Sequence, residues 1–184
     1  MKKVKFIQMK DGTKEDYLLL EKNEKKFIKE IPLRILKYME TLTSTLDGYQ
    51  VSRLEHSLQS ATRALNDKAC DEMIVATLLH DIGDEVAFHN HAEFAAAVLK
   101  PYVSEKTHWI IEKHGIFQMY YYVHHLGYNR NEREKYKGHK YFKNTIDFCE
   151  NWDQKSFDSS FKSLTLKDFE PYVKKIFSRT PHSQ

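Results

Sequence analysis

Residues 73–81 read MIVATLLHD, an apolar run that ends on an adjacent histidine and aspartate, His80 and Asp81, with no Lys or Arg beside them. At about 100° per residue, a helix here sets Met73, Ala76 and Thr77 near His80, and Ile74, Thr77 and Leu78 around Asp81. Such a helix is apolar nearly all round and belongs in a core. A buried carboxylate without a cation is costly even after the surroundings relax. A divalent metal answers that need, because carboxylate and neutral imidazole are both good ligands. Taken alone, the doublet is better explained by a helix-end aspartate that caps the next turn beside a satisfied histidine.

The chain has ten histidines, and the others bear on this choice. His56 shares a stripe with Gln59, Ser60 and Arg63, opposite Leu54, Leu58, Ala61 and Leu65; by itself that position reads as surface. His114 lies on a partly apolar stripe with Ile110, Ile111, Phe117, Gln118, Tyr121 and His125, which is expected to point inward. His91 opens AEFAAAVL, a segment of small apolar residues that can pack closely, and His89 competes with it in the same loop. Of two late aspartates, Asp153 shares an apolar face with Phe142, Ile146 and Cys149, while Asp147 points with Asn144, Glu150 and Asn151. Asp153 is therefore the expected ligand. Imidazoles and carboxylates without thiolate suit iron, manganese or cobalt better than a structural zinc site.

The elements that must carry these residues read as helices. Six glycines and four prolines are few for a chain of 184 residues, which favours long helices over many short strands. Helical patterns run through EDYLLLEKNEKKFIKE, LRILKYMETLTSTL, SRLEHSLQSATRAL, DEMIVATLLHD, HAEFAAAVLKPYV, SEKTHWIIEKHGIFQMYYYVHHLG, YFKNTIDFCENWDQ and LKDFEPYVKKIFSR. KVKFIQM alternates as a short N-terminal strand would. The expected architecture is one all-α domain over 1–184: an N-terminal extension (1–45), a core (about 46–155), and a C-terminal helix and tail (156–184). A net charge of +3 does not point to nucleic acid. A mean hydropathy of -0.65 without a long apolar run argues against a membrane span. The basic start lacks the apolar stretch of a secretory signal, and Cys70 and Cys149 lie far apart, as reduced thiols of a cytoplasmic protein would. Tyr120, His124 and Tyr128 fall off the His114 stripe and mark a candidate homodimer face.

The order His56, His80–Asp81, Asp153 resembles the HD-domain superfamily of helical metalloenzymes, most of them phosphohydrolases. The stretches RLEHSLQSA, ATLLHDIGD, HAEFAAAVL and WDQ are most similar to a narrower branch, the phosphonate-cleaving HD-domain oxygenases and, more distantly, myo-inositol oxygenase. That branch adds two histidines between the doublet and the final aspartate and holds two irons. The resemblance implies one metal on His56, His80, Asp81 and Asp153, and a second on His91, His114 and the other oxygen of Asp81. It covers roughly residues 46 to 155. Two departures stand out. Where these oxygenases carry Lys or His after HDIG, this chain has Asp84; where they carry Tyr and Glu before the first ligand, it has Leu46 and Tyr49. Asp84 beside the metals would suit a cationic substrate, or it is a turn residue or helix cap.

The resemblance implies a di-iron centre (Fe2+/Fe3+, with Mn2+ or Co2+ as alternatives). Its small-molecule substrate would be hydroxylated and polar, and O2 would serve to cleave a C–C or C–P bond. A metal-dependent phosphohydrolase is the rival reading. There, NRNEREKYKGHKYFK would hold phosphate through Arg130, Arg133, Lys135, Lys137 or Lys140, unless its interspersed Glu132 and Glu134 make it a solvated face. A regulatory module with a structural metal is the third. Gln118, Tyr121, His125, Tyr49, Arg63 and Arg130 are the further candidates for substrate contact, and Glu55, Gln59, Gln118 and Gln154 for orienting a ligand.

Overall fold

The computed structural model describes residues 2–44 and 47–182, so Leu46, one of the two departures, lies outside the described residues. Among the described residues the chain is all-helical. The helices are α1 (Lys14–Lys29), α2 (Ile31–Thr41), α3 (Arg53–Asn66), α4 (Asp71–Leu79), α5 (His91–Leu99), α6 (Glu105–Gln118), α7 (Phe142–Phe148) and α8 (Leu166–Phe177).

The apolar α4 is the centre of the molecule. Met73 through Leu79 are all buried, and α3, α6 and α8 pack around them. Phe169, Val173, Ile176 and Phe177 of α8 close the far side with Ile35, Leu36 and Met39 of α2. α1 buries no residue and stays outside this core. Local signals start the helices where the sequence places them. Ser52 and Glu55 form a reciprocal capping box on α3, Thr165 and Asp168 another on α8, and Ser104 accepts from the Thr107 N–H on α6. Each cap satisfies backbone donors that have no partner within the helix. No helix among the described residues is long and apolar enough to cross a membrane.

Three expectations are corrected. KVKFIQM forms no strand; it runs without regular structure toward a 3-10 turn at Met9–Asp11. A strand needs a partner, and the described residues offer it no second one. The long helix expected from Ser104 onward stops at Gln118. Two 3-10 turns follow, Met119–Tyr121 and Val123–Leu126, and Gly127 ends the second in the left-handed region (φ 79°). The aromatic and β-branched run Tyr120–Val123 has weak helix propensity, and the glycine completes the break. Finally, α7 continues not as α-helix but as a π-turn over Cys149–Asp153, in which the Gln154 N–H donates to the Cys149 carbonyl (3.0 Å).

Candidate metal centre

α4 ends at Leu79, so His80 and Asp81 leave the central helix at its buried tip. Consecutive turns carry the chain on: Ile82 N–H donates to Leu79, Asp84 N–H to Asp81, and Ala87 N–H to Gly83. Gly83 makes this path possible, since a Cβ there would meet the His91 Cα at 2.8 Å and its carbonyl at 2.9 Å. The HD turn and the start of α5 thus come within backbone contact. α3 supplies His56, α6 supplies His114, and the π-turn supplies Asp153.

Four imidazoles and two carboxylates converge. His56 Nε2 lies 3.3 Å from Asp81 Oδ2, 3.3 Å from Asp153 Oδ1 and 3.0 Å from His80 Nε2. His80 Nε2 is 3.4 Å from Asp81 Oδ2 and 3.7 Å from Asp153 Oδ1. On the other side of the same carboxylate, Asp81 Oδ1 lies 3.2 Å from His114 Nε2 and 3.6 Å from His91 Nε2. The groupings His56–His80–Asp81, His80–His114–Asp153 and Asp81–His91–His114 are each compact enough to hold a metal ion.

The opposite edge of every ring is tied down. His56 Nδ1 meets the Ser156 carbonyl (2.9 Å), His80 Nδ1 that of Thr77 (2.7 Å), His114 Nδ1 that of Ile111 (2.7 Å) and His91 Nδ1 that of Phe88 (3.1 Å). A carbonyl only accepts, so each Nδ1 carries the hydrogen, and each ring, when neutral, turns an Nε2 lone pair into the cluster. Two lone pairs facing each other at the His56–His80 distance repel unless a cation or proton sits between them. Asp153 has no Lys or Arg partner among the described residues, and its buried Oδ2 has no hydrogen-bond partner. These residues therefore fit a bound metal: lone pairs, charge and fixed ring orientation are all in place.

The electrostatics of the protein groups alone express the same demand. Burial by itself would lower His56, but hydrogen bonds with Asp153 and Asp81 and their charges outweigh it and push it up to about 10. His80 also rises against its burial, through the charge of Asp81 and its contact with Asp153. Burial would raise both aspartates. The charge of His80 and hydrogen bonds from His114 and His56 instead hold Asp81 well below the usual range, and His56 and His80 do the same for Asp153.

A cavity of about 780 Å³ opens onto Asp81, His91, His114 and Asp153. Tyr49, Asp84, Gln118 and Tyr121 line it, as do Arg53, Tyr122, Phe88 and Phe157, which the sequence reading did not single out. Arg53 had a readable signal. It stands three residues before His56 and so on the same stripe, extended toward the N-terminus. Phe157 had none: it stacks on the His56 ring at 4.4 Å through a loop whose path only the fold defines.

Other candidates fall elsewhere. His56 is no surface residue, being 1 % exposed, because α3 turns this stripe against α4 and the π-turn. His91, not the exposed His89, joins the ligand cluster. The break after Gln118 takes His125 off the His114 stripe and leaves it exposed, away from the cavity. Arg63 donates to the Lys155 carbonyl and covers the Phe161 ring. Arg130 and Arg133 lie over Tyr120, and Lys140 pairs with Glu105, so none of these basic residues lines the cavity. Glu55 caps its own helix, and Gln59 is bonded in both directions to the Asp158 backbone. Asp147 pairs with Lys143 at the surface, as its stripe implies.

Asp84 is neither an open carboxylate nor a simple turn residue. It is buried, with Oδ2 2.8 Å from Arg53 Nε and Oδ1 3.4 Å from His91 Nδ1. Burial, then the charge of Asp81, raises its pKa, and Arg53 pulls the other way. Its charge faces Arg53 and His91 within the protein.

No protein-family model matches the sequence, and the comparison with curated proteins finds no match.

Proposed function

We propose that this chain is a dinuclear metal oxygenase of the HD-domain type, acting on a small hydroxylated substrate. One observation carries the reading. The two oxygens of Asp81 face different histidine pairs, Oδ2 toward His56 and His80, Oδ1 toward His114 and His91. A carboxylate in that position is built to bridge. His56, His80, Asp81 and Asp153 would hold one ion, and Asp81, His91 and His114 the other. The all-N/O donor set favours iron, with manganese or cobalt as the alternatives.

When bound, iron would supply activation of O2 and polarisation of the substrate's hydroxyl oxygens. The protein's own part is positional. Backbone carbonyls fix the four rings so that their lone pairs need no reorganisation on binding. The site with only His91 and His114 beside the bridge has the fewer protein ligands and the more open flank, since the His91 side chain is 26 % exposed while His56 and His80 are sealed. Substrate is therefore expected on the His91 side, under Gln118, Tyr121 and Tyr122. Gln118 Oε1 is buried without a hydrogen-bond partner and is placed to accept from a substrate hydroxyl.

The phosphohydrolase reading draws less support, because Arg130, Arg133, Lys135, Lys137 and Lys140, the residues meant to hold phosphate, do not line the cavity. Protein loaded anaerobically with iron should show about two irons per chain and, after partial oxidation, a mixed-valent EPR signal that hydroxylated ligands perturb. Oxygen uptake with a panel of hydroxylated phosphonates, polyols and amino alcohols should then identify a substrate. Phosphate release from nucleotides with manganese or cobalt, together with no oxygen uptake, would overturn the proposal in favour of hydrolysis.

A further inference from the structure

The cavity wall holds a cation for which the ligand set has no use. Arg53, the first residue of α3, has a side chain only 12 % exposed, and it lines the cavity beside the metal-binding carboxylates. Its Nε faces Asp84 and its Nη1 stands 3.8 Å from Asp81 Oδ2. No oxygen among the described residues accepts a hydrogen bond from its two terminal nitrogens. The guanidinium lies over the Tyr49 ring (4.8 Å), Tyr49 stacks on Phe157 (5.1 Å), and Phe157 stacks on His56. This stack runs without a gap from a ligand imidazole to the guanidinium and fixes where the guanidinium sits. Tyr122 lines the same cavity, so two phenols face it.

Asp84 Oδ2 stands 2.8 Å from Nε as an ion pair without a directed hydrogen bond, and Asp81 Oδ2, 3.8 Å from Nη1, lies beyond hydrogen-bond reach, so the guanidinium keeps N–H donors to offer. A guanidinium held this way presents parallel N–H donors, the geometry that receives a carboxylate or a phosphate-type group through two hydrogen bonds. An arginine placed only to neutralise Asp84 would need neither an opening onto the cavity nor a tyrosine platform.

We infer that Arg53, held by Asp84 and stacked on Tyr49, is the substrate's anion-binding group, so that the substrate carries an oxyanion beside the oxygens that would meet the metals. The inference rests on the dinuclear reading for what lies next to the anion, and not for the role of Arg53. Charge places the same limit on the substrate. With Asp84 paired to Arg53, the corner of the wall at Arg53 suits negative rather than positive groups.

Binding calorimetry on metal-loaded protein tests this, with inorganic phosphate, acetate and tetramethylammonium as probes. Wild type should bind phosphate or acetate, and whichever binds tighter assigns the oxyanion as phosphate-type or carboxylate. Tetramethylammonium should not bind. Arg53→Lys should weaken the preferred anion, because it keeps the charge and loses the fork. Arg53→Met alone would strand Asp84. The double variant Arg53→Met/Asp84→Asn removes both charges together and should keep its circular dichroism and metal content while losing at least about tenfold in anion affinity. Arg130→Met, which removes a positive charge away from the cavity, should bind as wild type. Anion affinity unchanged in the double variant, no anion binding in wild type, or preferred binding of tetramethylammonium would each overturn the inference. Elemental analysis of the same samples decides the dinuclear reading separately, since Arg53 dependence is measured whether or not two ions are found.

Discussion

At the scale of single residues, the site rests on one division of labour. Carbonyl oxygens hold the Nδ1 edges, and the freed Nε2 edges meet two carboxylates. Because Asp81 would serve both ions and each other ligand only one, substitutions should separate by stoichiometry. Asp81→Asn is expected to lose both metals. His91→Ala is expected to keep the ion held by His56, His80 and Asp153 and lose the other, at a cost of at least about tenfold in affinity at the depleted site. Elemental analysis after gel filtration reads the difference; equal loss in both variants would show that Asp81 does not bridge. Much of this was legible beforehand. Asp153 was separable from Asp147 by its stripe, and His114 by its apolar neighbours. His56 was not, because a stripe of Gln, Ser and Arg looks solvated until another helix covers it.

At the scale of elements, three local irregularities shape the site: the turns after α4, the early end of α6, and the π-turn after α7. The extra residue in a π-turn is a common device for presenting a side chain to a site, and here it carries Asp153 to His56 and His80. The turn after α4 depends on Gly83, whose missing side chain lets the backbone pass His91. Gly83→Ala would press a methyl against backbone that cannot swing away. It should destabilise the fold by about 1–3 kcal/mol and weaken the His91–His114 site more than its neighbour. Denaturant unfolding and metal titration measure the two effects; an alanine variant with unchanged stability would mean that the two segments move apart freely. The end of α6 and the π-turn leave no periodic trace, which is why the helix pattern ran through them, whereas the pattern of α4 stopped at Asp81.

At the scale of the whole molecule, the fold concentrates acid and imidazole at its centre, and stability should depend on what neutralises them. In metal-stripped protein, His56 is raised from 6.5 to about 10, so its contribution is fully present below about pH 6.5 and is lost as pH rises toward 10. Asp81 and Asp153 are held below 3.8, so theirs is present above that value and is lost as pH falls. Chelator-treated protein should thus melt highest between about pH 4 and 6.5 and lose stability toward pH 9. Metal-loaded protein should behave oppositely on the alkaline side, because ligation needs deprotonated imidazoles and displaces protons. Paired melting curves with and without iron check this. A chelated protein that grows steadily more stable from about pH 6.5 to 9 would show that the imidazoles are not held protonated by these aspartates.

The all-helical class, the buried tip at His80–Asp81 and most of the clustered imidazoles and carboxylates were readable in the chain, since helical period and the burial of apolar runs are local properties. Which way Asp84 faces was not. The sequence offered it as a carboxylate open to a cation or as a turn residue or helix cap, and the folded chain brings Arg53 against it from another helix. Nor could the chain alone supply the carbonyls that orient the rings, the stack from His56 through Phe157 and Tyr49 to Arg53, or the absence of the run's Arg and Lys side chains from the cavity lining. Each depends on contacts between segments far apart in sequence, where side-chain period carries no information and packing alone sets distance and direction.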